Sequence, residues 1–229
     1  MLFDELTEVL DPEPHEAPLN MALDEVLLAS ATGPMLRVYR WARPAVSFGY
    51  FGKVADVAAA WPGREMVRRW TGGGIVPHGA DVTYTLVVPR GCAFFRLRPD
   101  ESYRTIHEHL AALLATLGTT VQVAASASAK ISDACFENPA RHDLLGAAGK
   151  IAGAAQRRTR DGLLIQGSVQ SPPEGPSRPA WQEAMLNLPP VPSQPKVEWQ
   201  AMDCETSLQN QVQDLVQTKY SQAAYNRKR

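Results

Sequence analysis

Cysteine is scarce in this 229-residue chain: three in all, Cys92, Cys135 and Cys204. The number is odd, the spacings are wide and no Cys-x-x-Cys occurs. A disulfide framework and a thiolate zinc site are both disfavoured, and a reducing compartment, the cytoplasm, is expected. Lysine is scarce too, six against 17 arginines. Apolar runs such as Leu86-Val87-Val88 are far shorter than the ~20 residues of a membrane span. The start, Met1-Leu2-Phe3-Asp4-Glu5, is acidic and lacks the basic and apolar regions of a secretory signal. Net charge is only −1, which argues against a nucleic-acid binder.

What remains suits a soluble globular chain, with 45% hydrophobic and 21% charged residues. A chain this long buries about 70% of its unfolded surface without a staple. Charge is distributed unevenly. Residues 1–36 carry eight acids and no Lys or Arg, whereas residues 37–104 carry eleven basic residues against five acids. Either the two stretches neutralise each other on folding, or the second forms a basic face for an acidic partner.

Periodicity predicts a helix over 18–30, with Pro18 in its first turn. Strands are expected at 36–41, 45–50, 66–70 and 82–88, the first two separated by an Arg43-Pro44 turn. A second helix starts at Pro99-Asp100, with Asp100 as the expected N-cap and Gly118 as its stop. Further short strands are expected at 121–123, 150–158 and 163–170, the last two joined at Asp161-Gly162. Residues 171–195 contain eight prolines, and a last helix is expected near 205–224. Helices and strands mix without strict alternation, so the expected class is α+β, with helices on a mixed sheet. Residues 1–170 form the catalytic unit in this reading. Residues 171–229 form a proline-rich wrap and helix of the same domain, and a monomer is the default.

Three stretches could carry chemistry. Arg68-Arg69-Trp70-Thr71-Gly72-Gly73-Gly74-Ile75-Val76-Pro77-His78 has three consecutive glycines. They let backbone approach a ligand closely and turn N–H groups inward. No G-x-x-x-x-G-K-[ST] occurs, so this is no Walker A loop. On its own it is equally a flexible turn. Cys135 sits in a polar, loop-like neighbourhood, Ser132 to Pro139, where a partly exposed thiol can react; the plain alternative is a small buried hydrophobe. Lys150 sits among small residues in Gly146–Arg158. Its ammonium could lower a thiol pKa or hold a carbonyl oxygen, or could be a solvated hairpin lysine.

Read in order, the chain resembles the lipoate/biotin protein ligase family. Within that family it is most similar to the cysteine-dependent octanoyltransferases. The likeness runs from Asn20-Met21-Ala22-Leu23-Asp24-Glu25 through Val46-Ser47-Phe48-Gly49-Tyr50-Phe51 and Arg-Arg-x-Thr-Gly-Gly-Gly. It continues through Cys135-Phe136, Asp143-Leu144, Gly149-Lys150-Ile151, Gly153 and Ala155-Gln156-Arg157-Arg158 to Gln166-Gly167-Ser168. It departs from the usual pattern at Gly52, His142 and Gly149. The resemblance implies a class II aminoacyl-tRNA synthetase/biotin synthetase-like α+β fold. It implies that Cys135 takes an octanoyl group as a thioester and that Lys150 stabilises the thiolate and the acyl carbonyl. Arg69, Gly72, Gly73, Gly74 and His78 would shape an acyl tunnel, with Gly153 and Gln156 on its wall. Octanoyl-acyl-carrier protein would be the donor and a lipoyl domain or glycine-cleavage H protein the acceptor. No cofactor, metal, membrane or nucleic acid is expected. The rival enzyme reading is an ATP-dependent lipoate ligase, which needs ATP and Mg²⁺ and no cysteine. A non-catalytic acyl- or lipoyl-domain-binding protein is the third.

Overall fold

The computed structural model describes residues 3–127, 139–147, 149–170, 180, 184–185, 195–202 and 207–227. In chain order the strands are β1 (Thr7–Leu10), β2 (Pro14–His15), β3 (Met35–Trp41), β4 (Ala45–Phe48), β5 (Glu65–Arg68) and β6 (Ile75–His78). Then come β7 (Val82–Pro89), β8 (Gln122–Val123), β9 (Leu144–Gly146), β10 (Gly149–Arg158), β11 (Gly162–Val169) and β12 (Lys196–Glu198). The helices are α1 (Ala17–Ser30), α2 (Val54–Ala60), α3 (Pro99–Thr116), α4 (Leu208–Leu215) and α5 (Ala223–Asn226).

Among the described residues, nine strands make one sheet in the order β12-β1-β3-β7-β11-β10-β9-β8, with β2 added beside β3. A second sheet has the order β5-β4-β6. The α+β class read from the sequence is therefore the observed one. The Arg43-Pro44 turn does not close a hairpin; it carries the chain from β3 in the large sheet to β4 in the small one.

The central strands β7 and β11 are buried along their whole length, because both sheet faces are covered. On one face Leu36, Val38, Val82, Tyr84, Leu86 and Ile165 pack with Leu110, Leu113 and Leu114 of α3. The other face mixes apolar residues that meet α1 with a polar row. Register puts Gly153 beside Ser168, Ser168 beside Thr83, and Thr83 beside Tyr39. Two residues along, Ala155, Gln166, Thr85 and Arg37 form the parallel row. Strand alternation thus sorts apolar residues toward α3 and small or polar ones toward the opposite face.

Arg37 is buried and bridges Asp11 and Asp24 at 2.6 and 2.7 Å, while Arg43 pairs with Glu16 at 2.8 Å. Part of the acidic first stretch therefore neutralises the basic second one. Arg68 is also internal: its guanidinium donates to the carbonyls of Tyr50, Gly52, Tyr225 and Asn226. It binds the chain's last helix to β5 and adds no charge to a docking face.

Two helix expectations change. Arg98, not Asp100, is the N-cap of α3. Its backbone N–H donates to Glu101 Oε2 at 2.9 Å, and Asp100 lies in the first turn, where a carboxylate suits the helix dipole. The last helix is not continuous: α4 passes into a wide π turn over Val216–Tyr220, and α5 follows. Leu208, Val212 and Tyr220 nevertheless pack into the core against α1. Among the described residues, no helix is long and apolar enough to cross a membrane.

Candidate functional site

A narrow cavity of about 30 Å³ opens between the two sheets. Its surface is mainly apolar. The large sheet contributes Tyr39, Trp41, Lys150, Gly153, Ala155 and Gln166; the small sheet and its loops contribute Ser47, Arg69, Val76 and His78.

Lys150 reaches this cavity because of a bulge. Gly153 and Ala155 face it, so strict alternation would turn residue 150 away. The register of β10 against β9 slips between Lys150 and Ala152. Ile151 and Ala152 consequently both pack toward the α3 core, and Lys150 is re-aimed onto the cavity side. Its Nζ lies 2.8 Å from Asp143 Oδ2, and the two side chains are 2% and 0% exposed. Asp143 also accepts from Tyr103 Oη at 2.5 Å and from the backbone N–H of Ala140 at 2.5 Å. Burial, and then the Asp143 charge, raise the Tyr103 pKa well above the usual phenol value, so Tyr103 stays a neutral donor. Asp143 follows His142, whose φ of 72° lies in the left-handed region. That conformation costs roughly 1–2 kcal/mol outside glycine.

Gly153 makes this arrangement possible. A Cβ there would stand 2.5 Å from Lys150 Cε and 2.6 Å from Nζ. The lysine therefore lies directly over a bare Cα.

In the glycine loop the carbonyls of Gly72 and Gly74 both accept from Arg69 Nη2 at 2.9 Å. Gly49 lies beneath the loop, where any Cβ would sit 1.9 Å from the Gly73 carbonyl oxygen. Thr71 donates to Gln166 Oε1, and Gln166 Nε2 donates to Asp24, both at 2.7 Å. The loop is thus tied to the buried Arg37–Asp24 pair.

Arg69 Nη1 donates to Ser47 Oγ at 2.7 Å. Ser47 Oγ lies 2.6 Å from His78 Nε2, and His78 Nδ1 lies 2.8 Å from Asp81 Oδ2. Asp81 further accepts from Thr83, Ser168 and the backbone N–H of Gly79. The His78 ring stacks on Trp41 at 3.9 Å. Burial lowers the His78 pKa, keeping the imidazole neutral. Burial alone would raise the Asp81 pKa; His78 and the donated hydrogen bonds overcome this and hold it at about 2.

His107 of α3 is a buried titratable group outside the cavity, edge-on to Tyr103 at 4.2 Å. Burial first, then the charges of Lys150 and His142, push its pKa down to about 3 from 6.5. The unfolded chain takes up this proton near pH 6.5 and the folded one resists it to about pH 3. The associated stability is complete above 6.5 and is lost as pH falls. The expected loss is about 1.4 kcal/mol per pH unit for this one proton. Urea unfolding at stepped pH should show that slope reduced by about one proton in His107→Leu; an unchanged slope contradicts the assignment.

The structure brings Arg69, His78, Lys150 and Gly153 to one cavity, with Gly72–Gly74 held behind Arg69. Gln156 is not on the wall. Its Nε2 donates to the Pro99 carbonyl at 2.7 Å and its Oε1 accepts from Ser102, because neighbouring strand residues face opposite ways. Cys135 and Cys204 lie outside the described residues. Cys92 is half-buried, and burial raises its thiol pKa. Sequence spacing does not point to the contacts of Ser47 and Asp81 with His78, or of Tyr103 and Asp143 at Lys150. Ser47 and Asp143 lie inside the family-like motifs, but nothing in spacing links them to His78 and Lys150.

The family model described as lipoyl protein ligase A/B catalytic domain matches residues 16–174. Octanoyltransferase LipM of Oceanobacillus iheyensis is 36% identical over 169 residues, covering 70% of this chain and 62% of its own length. Octanoyltransferase LipM of Kyrpidia tusciae is 38% identical over 168 residues, covering 67% and 61%. The chain thus spans about three fifths of the length of these curated relatives. Among solved structures, Ta0514 of T. acidophilum, a putative lipoate protein ligase with bound lipoic acid, superposes with a TM-score of 0.76 at 19% identity. That match covers 98% of this chain and 99% of the other. The likeness establishes a shared fold.

Proposed function

Since the chain belongs to the lipoyl protein ligase A/B catalytic domain family, we propose that it is an octanoyltransferase of lipoate biosynthesis. It moves octanoate from acyl-carrier protein to a lysine of a lipoyl domain or H protein through a thioester on Cys135. The observation that carries this reading is the Lys150 ammonium, held by Asp143 at 2.8 Å on the wall of an apolar cavity. The described residues on either side of the Cys135 segment support it. Ala124 N–H donates to the Asp143 carbonyl and His142 N–H to the Ala124 carbonyl, both at 2.8 Å. Ala124 and His142, which flank the Cys135 segment in sequence, are therefore joined to each other and to the residue that holds Lys150.

The chemistry needs no nucleotide. Octanoyl-carrier is already a thioester, so transfer to Cys135 exchanges one thioester for another near energetic balance. Onward transfer to an amine forms an amide and runs downhill. The protein supplies a cation beside the thiolate and the acyl oxygen, and a dry slot for the chain. Burying the chain stabilises binding by about 0.8 kcal/mol per CH₂, which lets the slot select length. Arg69 and His78 shape its small-sheet wall.

The second reading is an ATP-dependent lipoate ligase, favoured by the likeness to a fold holding lipoic acid. One assay separates the two. With octanoyl-carrier and a lipoyl domain, transfer should proceed without ATP. Cys135→Ala should fold and lose at least roughly 10³-fold in rate, as removal of a covalent nucleophile does. An ATP requirement together with a fully active Cys135→Ala protein favours the ligase.

A further inference from the structure

We propose that Ser47 is a second acyl acceptor in this cavity, activated by His78 and Asp81, and that it gives the protein an acyl-ester hydrolase activity. The inference rests on the reading above that the cavity takes an acyl group.

The geometry is that of an activated nucleophile. Asp81 accepts from His78 Nδ1, which fixes the tautomer and leaves Nε2 as an acceptor 2.6 Å from Ser47 Oγ. The Ser47 hydroxyl therefore donates to the imidazole. Arg69 Nη1, 2.7 Å from the same oxygen, faces the negative charge that develops as the proton leaves. Trp41, stacked on the imidazole, keeps Nε2 in register. Thr83 and Ser168 hold Asp81 as an acceptor from the other side. A purely structural serine on a buried strand needs one partner; this one has a base and a cation, and it lines the cavity that Lys150 lines. The Cys135 thioester scheme proposed above uses none of Ser47, His78 or Asp81 as a proton relay.

The step balances. The Ser47 Oγ–carbonyl carbon bond forms while the carbon's bond to the leaving sulfur or oxygen breaks. The proton passes from Oγ to His78 Nε2 and on to the leaving atom. Water then bonds the carbonyl carbon, its proton returns through His78 to Oγ, and the carboxylic acid departs.

The test uses the full chain carrying Cys135→Ala, with 4-nitrophenyl octanoate as the probe. The expected result is a burst of nitrophenolate and one octanoyl group mapped by peptide mass to Ser47, resistant to neutral hydroxylamine as oxygen esters are. Ser47→Ala should lose it. Ser47→Cys, nearly isosteric, should keep an adduct at that position but make it hydroxylamine-labile. Asp81→Asn should slow its formation roughly 10²- to 10⁴-fold. No octanoyl group on Ser47, or one that forms equally fast in Asp81→Asn, overturns the proposal. Failure here leaves a Cys135 thioester in the unmutated protein untouched. Conversely, a Ser47 ester in a protein that never acylates Cys135 sinks the octanoyltransferase scheme alone.

Discussion

Gly153→Ala is expected to slow acyl transfer roughly 10²-fold in a protein that still folds. The new methyl would stand 2.5 Å from Lys150 Cε, 2.6 Å from Nζ and 3.0 Å from Asp143 Oδ1. Two of these atoms are the far end of a flexible side chain, which can move aside, so the backbone survives. What is lost is position. A displacement of about 1 Å in a catalytic group costs on the order of 10²-fold in rate. Steady-state transfer kinetics beside a thermal unfolding curve check this. A variant with unchanged rate shows that Lys150 need not lie over residue 153 to act.

Asp143→Ala is expected to cost about 3–5 kcal/mol of stability, the usual result of removing one member of a buried ion pair. Lys150 would remain 2% exposed with its carboxylate gone, and Tyr103 would lose the acceptor of its hydroxyl. Adding Lys150→Met to Asp143→Ala removes the buried charge that Asp143 balanced. It should recover much of the stability while leaving transfer impaired. Urea unfolding of the single and double variants decides; a double variant no more stable than Asp143→Ala means the lysine was not strained by the loss.

The elements that could be read from sequence are those whose pattern is long enough to show a period: α1, α3, the β-branched and aromatic β7 and the β10–β11 hairpin. Those missed are short or disguised. β1, β9 and β12 run three or four residues, too few to show alternation, and α2 has two turns. β6 contains Pro77, which argues against a strand; it is tolerated because β6 is an edge of the three-stranded sheet. Lys150 and Gly153 came from a motif. That they share a face could not come from parity, since the intervening bulge reverses it. The same parity rule, with no bulge between them, separates Gly153 from Gln156. Asp143 and Ser47 were visible as letters; only the fold supplies their partners across 7 and 31 positions. The resemblance gives Arg69 a place in shaping the tunnel, and the structure shows it also bracing the glycine loop.

Intact mass and peptide mapping of the unmutated protein, incubated with octanoyl-carrier and no nucleotide, decides whether the acyl group passes through a thiol. The expected result is one added octanoyl group on Cys135, removed by neutral hydroxylamine and chased onto a lipoyl-domain lysine. A protein that stays unacylated, or that acts only on free acid with ATP, contradicts it.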